Sequence, residues 1–293
     1  MKIVVAIPAF NEEKNIAGII LKLKKFSDEI IVCDDGSNDL TSEIAESLGV
    51  RVIKHSKNLG YGGAIKSLFL KCKEMNVDAM ITFDADGQHR IEDLEKMIEP
   101  IKNDSADLVI GSRFLDDETK IPKYREVGVK AITKLTNVTG GTKISDSQSG
   151  LRAYNKKVLQ DLQLMESGMG ISTEILIKAQ KSNFRIREVP IKILYEGETS
   201  SLNPISHGSS VILSTLKVVA IDRPLTFYGI PGMIFLVIGL VFVGWAIQGY
   251  VEHKSIITNI SLIGVGLTIL GFLFMLTASI LYSIVSIVGG KNR

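Results

Sequence analysis

The stretch Thr82-Phe83-Asp84-Ala85-Asp86-Gly87-Gln88-His89 sets two carboxylates, one small residue apart, directly after the apolar run Ala79-Met80-Ile81. In an open α/β sheet, ligands are met at the strand ends. Two acidic groups there suit a hard divalent cation such as Mg2+ or Mn2+, which takes oxygen ligands and meets a phosphate-bearing substrate through one or two carboxylates. Asp86 with the amide oxygen of Gln88 would form half of such a shell, and Asp84 would reach a ribose or the waters around the ion. Read alone, the same string is also a solvated turn. Its meaning therefore depends on what else arrives at that edge.

Two more turns do. Pro8-Ala9-Phe10-Asn11-Glu12 closes a first apolar run and Asp34-Asp35-Gly36-Ser37 a second. A nucleotide lying across them would find an aromatic surface at Phe10, carboxylates at Glu12 and Asp35 for base or ribose hydroxyls, and a cation at Asp86 for its diphosphate. Turn formation and helix capping by Asn11, Asp34 and Ser37 are the alternative use of the same residues. In Asn58-Leu59-Gly60-Tyr61-Gly62-Gly63-Ala64 the glycines open a helix; with no phosphate-loop lysine, close packing is preferred there over phosphate binding. His89 reads either as a base or as a turn residue bonded to its neighbours.

The elements that must carry these turns alternate. Strands are expected at 3–7, 29–33, 51–54, 79–83 and 107–110, and helices at 12–25 with Asn11 as cap, from the Asp34 turn to 48, at 61–75 and at 91–102. Strands separated by helical stretches of 10 to 15 residues imply a mainly parallel, doubly wound α/β sheet. The chain of 293 residues has a formal net charge of +2 and no basic patch with interleaved aromatics, which argues against a nucleic-acid partner. Cys33 and Cys72 have no paired spacing and read as reduced core residues of a cytoplasmic domain.

The C-terminal fifth differs in kind. Residues 224–251 and 255–290 each lack any charged side chain, and each exceeds the ~20 residues that cross a bilayer as a helix. A transmembrane hairpin is expected at about 227–247 and 260–288. Lys217 and Arg223 before it and Lys291 and Arg293 after it, against Lys254 alone in the loop, place the large domain and the tail in the cytoplasm. Trp245 and Tyr250 read as interfacial anchors. Val129, Ile132 and Leu135, and separately the segment 211–221, have the spacing of helices lying on the membrane or of amphipathic core helices.

Pro8-Ala9-Phe10-Asn11-Glu12-Glu13, Asp34-Asp35-Gly36-Ser37, Asn58-Leu59-Gly60, Asp84 to His89, Gly111-Ser112-Arg113 and Asp146-Ser147-Gln148-Ser149-Gly150-Leu151-Arg152-Ala153-Tyr154 occur in one order and spacing. Together they resemble a family 2 glycosyltransferase of the polyprenyl-phosphate (dolichol-phosphate) sugar synthase branch, over residues 2 to about 190. The resemblance implies a GT-A fold, with a DXD motif at Asp84-Ala85-Asp86. By position it implies that Pro8, Phe10, Glu12 and Asp35 hold the nucleotide, that Asp84, Ala85 and Asp86 meet donor and metal, and that Gln88 is a second ligand to Mg2+ or Mn2+. It further implies that Arg113 contacts the acceptor phosphate, with Arg125 as another phosphate-binding arginine. The mannose synthases carry Gly-Glu-Ser-Lys with an arginine upstream, where this chain reads Tyr195-Glu196-Gly197-Glu198-Thr199-Ser200-Ser201. That departure favours UDP-glucose or UDP-N-acetylglucosamine over GDP-mannose.

The organisation implied is a catalytic domain at 1–207, an interfacial amphipathic helix at 208–226 and two membrane helices within 227–293. The activity implied is inverting transfer of a hexose to polyprenyl phosphate by a multi-pass protein of the cell membrane. Transfer to a hydroxyl of a glycan or glycolipid is a second reading and would need a general base, while a silent membrane scaffold keeping the fold is a third. His207 reads as a phosphate contact or a loop residue. Gly264, Gly266 and Gly271 are expected to support self-association of the spans.

Overall fold

The structure is a computed structural model that describes residues 1–27, 29–115, 121–193, 213, 216–217, 219–221, 223–255 and 258–290. His207 lies outside the described residues, as do 208–212, 214–215, 218 and 222 of the segment 208–226. The chain forms two compact units, Met1–Thr215 and Leu216–Arg293.

In the first unit, β1 (Ile3–Ala9), β2 (Ile30–Asp34), β3 (Arg51–Lys54), β4 (Ala79–Thr82), β5 (Leu108–Ser112), β6 (Arg152–Asn155) and β7 (Ile186–Pro190) form one sheet of order β3-β2-β1-β4-β6-β5-β7. All neighbours run parallel except β6, which is antiparallel to both β4 and β5. The central strands are buried on both faces, as continuous Val- and Ile-rich runs require. Alternate residues of β1 feed two cores. Val5 and Ile7 meet α1 (Ile16–Leu23), α2 (Thr41–Ser47) and α4 (Asp93–Lys102), while Val4 and Ala6 meet α3 (Tyr61–Glu74), α6 (Lys156–Asp161) and α7 (Ile171–Lys181).

Register brings the functional turns together. Ala9 pairs with Asp34 and Ala6 with Thr82, so β1, β2 and β4 end at one edge. Because β6 runs backwards, its first residue Arg152 lies beside Thr82 and Ile110, and the preceding loop, 146–151, is delivered to that same edge. Neither β6 nor β7 is evident in the periodicity of the sequence.

Of three expectations, the structure corrects the first and narrows the other two. The first helix starts at Ile16 with Asn15, not Asn11, at its N-cap position; Asn11 instead adopts a left-handed backbone with φ 55°. In α5 (Lys123–Gly140) Ile132 is buried with Thr133 and Thr136, Val129 and Leu135 are half-buried, and Val127 and Val138 are exposed, which agrees with the amphipathic core helix of the two readings left open.

The third concerns the second unit, where a single π-helical turn (Leu225–Gly229) leads into α8 (Ile230–His253), followed by α9 (Thr258–Gly290). Two stretches, Leu225–Glu252 and Thr258–Ile287, are helical, long and apolar enough to cross a membrane. Gly264 and Gly271 face α8 inside the hairpin, where a Cβ would meet Val243 N at 2.9 Å and Gly232 O at 2.8 Å. Only Gly266 of the three glycines expected to support self-association has nothing within 4 Å of such a carbon.

Candidate functional site

The β1–α1 and β2–α2 loops are tied to each other by side chains. The amide of Asn11 donates to Ser37 Oγ (2.9 Å), that of Asn38 to Asn11 Oδ1 (2.9 Å), that of Glu12 to Thr41 Oγ1 (2.8 Å) and that of Glu13 to Asp39 Oδ2 (3.1 Å). The left-handed Asn11 turns the chain so that Phe10 stands 41% exposed at the strand end while Pro8 stays buried within β1. Asp34 belongs to the turn itself, accepting from the Ser37 amide and the Ser42 hydroxyl.

Asp35 is only 3% exposed and accepts three hydrogen bonds, from Leu59 N (2.9 Å), Gly60 N (2.8 Å) and His55 Nδ1 (2.6 Å). A carboxylate has about four acceptor directions. The carboxylate sequence reasoning assigned to nucleotide binding is thus largely committed to the protein, with one direction on Oδ2 left beyond the Gly60 amide.

Asp84 and Asp86 differ in surroundings. Asp84, with its side chain 26% exposed, accepts from His89 Nε2 (3.1 Å) and Tyr61 Oη (3.4 Å). Gly150 presses on it so closely that a Cβ there would lie 2.7 Å from Asp84 Cγ. His89 is thereby a buried partner of Asp84, stacked edge-on against Phe83, and its Nδ1 has no partner among the described residues. Asp86 Oδ1 accepts the Gln88 amide (3.0 Å) across Gly87, whose φ of 74° makes the turn possible. Ala85, between the acids, is buried.

Glu12 feels the charge of these acids. Burial pushes its carboxyl above the ordinary 4.5, a hydrogen bond from Asn15 partly offsets that, and the charges of Asp86, Asp39 and Asp84 push it further up. Among the described residues no group of three His, Cys, Asp or Glu side chains could by itself hold a metal ion. An edge with this much crowded negative charge fits a divalent cation bound by one or two protein ligands, with water and phosphate oxygens completing its shell.

Across the site, Arg113 follows β5 and meets Asp146, with Nε to Oδ2 at 2.6 Å and Nη2 to Oδ1 at 2.7 Å. Asp146 is held in turn by its amide to Glu188 Oε1 (3.0 Å). Arg152 is buried beneath the 146–151 loop, where it donates to the carbonyls of Ser147, Ser149 and Ser172. Arg125 falls in the first turn of α5 and its side chain lies outside the described residues.

The glycines of α3 serve packing, as expected. A Cβ on Gly62 would sit 2.7 Å from the carbonyls of Glu166 and Gly168, and the Gly63 amide is bonded to Ser167 O. Tyr61, His55, Gly150 and the Asp146 clamp were not picked out as functional from sequence. Each acts through a contact between segments far apart in the chain; Tyr61 lies in the glycine-rich stretch 58–64, and Asp146 and Gly150 lie in a segment that carried the family resemblance, but none of these segments gave the partner.

Residues 4–163 match the model of glycosyl transferase family 2. Among curated proteins, the chain is 39% identical over 211 residues to a UDP-N-acetylglucosamine–dolichyl-phosphate N-acetylglucosaminyltransferase of Methanococcus voltae, covering 64% of this chain and 84% of that one. It is 31% identical over 221 residues to a dolichyl-phosphate hexose transferase of Haloferax volcanii, covering 75% and 94%. Among solved structures it resembles glucosyl-3-phosphoglycerate synthase of Mycobacterium tuberculosis in complex with Mn2+, UDP-glucose and phosphoglyceric acid. That likeness has a TM-score of 0.58 at 19% identity over 75% of this chain and 80% of that one, and establishes the GT-A-like fold.

Proposed function

This chain belongs to glycosyl transferase family 2, and we propose that it moves one hexose from a nucleotide diphosphate sugar to a polyprenyl phosphate at the cytoplasmic face of a membrane. The observation that carries this reading is that the segments bearing Glu12, Asp84 and Asp86 and the Arg113–Asp146 pair all fall at one edge of the sheet. A lipid phosphate is already an anion at neutral pH. Its oxygen attacks the anomeric carbon as the bond from that carbon to the nucleoside diphosphate oxygen breaks, so an α-linked donor yields a β-linked lipid. No proton need be removed, and the protein's task is positioning and charge neutralisation.

Phe10, Pro8, Glu12 and Asp35 would line the nucleotide, and Asp84 and Ala85 the donor beyond it. Asp86 and Gln88 would hold Mg2+ or Mn2+, which as a Lewis acid lowers the charge on the departing diphosphate. Arg113, oriented by Asp146, would bring positive charge to the acceptor phosphate, with Arg125 as its companion. The two apolar helices would anchor the chain beside its lipid, with the flanking Lys217 and Arg223 keeping the large unit cytoplasmic. Support for a uridine donor comes from the departure at residues 195–201 and from the relative named for UDP-N-acetylglucosamine.

The test is a donor panel. Full-length protein in detergent is incubated with labelled UDP-glucose, UDP-N-acetylglucosamine or GDP-mannose, Mn2+ or Mg2+, and a polyprenyl phosphate. Labelled lipid should appear with a UDP-sugar and not with a hydroxyl-ended polyprenol. Absence of labelled lipid with every donor would refute the assignment, and labelling of the hydroxyl acceptor would replace it with the glycan-type reaction.

A further inference from the structure

His55, just past β3, adds a side-chain bridge between Asp35 and α3, whose N-cap Gly60 already donates to Asp35. Its Nδ1 lies 2.6 Å from Asp35 Oδ1 and its Nε2 2.8 Å from Ser67 Oγ on α3. The side chains of His55 and Asp35 are only 9% and 5% exposed. A carboxylate can only accept, so Nδ1 carries the hydrogen; in the neutral ring Nε2 then accepts the Ser67 hydroxyl, and the two bonds fix both tautomer and ring orientation. Cys33 Sγ, 3.6 Å from Nε2, is a weaker second donor to the same nitrogen and leaves the tautomer unchanged. Burial, with the charges of Asp35 and Asp34, pushes its thiol up to about 12 and keeps it protonated.

The chain Asp35–His55–Ser67 has the connectivity of an acyl-transfer triad, yet Ser67 lies in the middle of α3, where its own amide and those beside it are spent in the helical ladder. No backbone donor is left beside it for an oxyanion. The catalytic use is thereby excluded, and what remains is orientation. Two of the three donors to Asp35 are amides of the Leu59-Gly60 turn, and the third is His55.

We propose that His55 is a positioning residue for nucleotide recognition, holding the Asp35 carboxylate so that its one uncommitted direction on Oδ2 meets a donor N–H or O–H of the base or ribose. This rests on the reading of Asp35 as a nucleotide contact. Ser67 aims the ring from behind, so its loss acts through His55 and is the weaker of the two.

The experiment titrates UDP and GDP, each with Mn2+, into full-length protein in detergent, and follows the nucleotide that the wild type binds more tightly. The decisive pair is His55→Asn and His55→Gln. Asparagine places an amide N–H near the position of Nδ1 and keeps the bond to Asp35, whereas glutamine shifts it toward Ser67. Expected are affinity within about threefold of wild type for His55→Asn, a loss of about tenfold or more for His55→Gln and His55→Ala, and two- to threefold for Ser67→Ala. Donor KM should rise with little change in kcat, and the unfolding midpoints of the Asn and Gln variants should agree. If Asn and Gln bind alike, or His55→Ala stays within twofold while Asp35→Ala loses binding, the positioning role is wrong and the donor site stands. If Asp35→Ala itself binds like wild type, the assignment of Asp35 to the nucleotide fails as well.

Discussion

Asp146 holds Arg113 by two parallel hydrogen bonds, and the pair is nearly closed to solvent, with side-chain exposures of 0% and 12%. The arginine expected to meet the acceptor phosphate is therefore fixed in a largely buried pair. Removing one partner of a buried pair leaves the other uncompensated, at a cost of about 3 kcal/mol. Asp146→Ala should lower the unfolding free energy by about that amount in denaturant titrations. Arg113→Lys should fold but raise the acceptor KM about tenfold or more, with donor affinity within threefold, because a lysine cannot reproduce the fork. An unchanged acceptor KM would remove Arg113 from the reaction.

Gly150 tests the geometry around Asp84. Its missing side chain is what lets the 146–151 loop lie against the carboxylate, and a methyl group there would overlap it. Gly150→Ala should retain the fold, as judged by circular dichroism, while transfer falls by about tenfold or more as Asp84 is displaced. Wild-type turnover would mean that the position of Asp84 is not critical.

Glu12 gives the pH prediction. Its carboxyl titrates above 4.5 in the folded protein because burial and the neighbouring acids disfavour its charge. The folded state thus binds the proton more tightly than the unfolded chain does; the associated stability is complete below about 4.5 and is lost as pH rises through the higher folded value. Relative to Glu12→Gln, the wild type should lose stability over that interval when its unfolding midpoint is measured without divalent cations. Adding Mn2+ at neutral pH should stabilise the wild type more than the variant, and an identical response of the two would place Glu12 away from the cation.

The membrane hairpin offers a paired control. Gly271 abuts the backbone of α8, with a Cβ meeting Leu236 N at 2.5 Å, whereas Gly266 faces open space. Gly271→Leu should destabilise the hairpin in detergent by about 1–3 kcal/mol, and Gly266→Leu should leave the melting temperature unchanged. Equal effects would contradict the packing of α8 against α9.

Much of this was legible from the chain because local signals and global fold agree. The β-branched runs of β1 and β2 ended in acidic turns, and parallel strands of a doubly wound sheet must end together, so Phe10, Asp35 and Asp86 could be gathered at one edge from spacing alone. Helix starts were less clear: residues 12–15 look helical, yet Asn11, Glu12 and Glu13 spend their polar groups on the β2–α2 loop, and the helix begins only at Ile16. β6 was hidden for another reason. Arg152-Ala153-Tyr154-Asn155 has no apolar alternation, because its arginine is buried against carbonyls and its tyrosine packs edge-on against Phe69. The contacts of His55 with Asp35 and of Asp146 with Arg113 join segments 20 and 33 residues apart, and no local pattern announces the pairing.

The measurement that bears most directly on the central claim is transfer from labelled nucleotide sugar to polyprenyl phosphate across a Mn2+ titration, for the wild type and Asp86→Ala. The account predicts saturable metal activation of the wild type, and for the variant a rate lower by about a thousandfold with no metal response although it remains folded. An Asp86→Ala protein that still transfers the sugar within tenfold of wild type, with the same metal dependence, would contradict it.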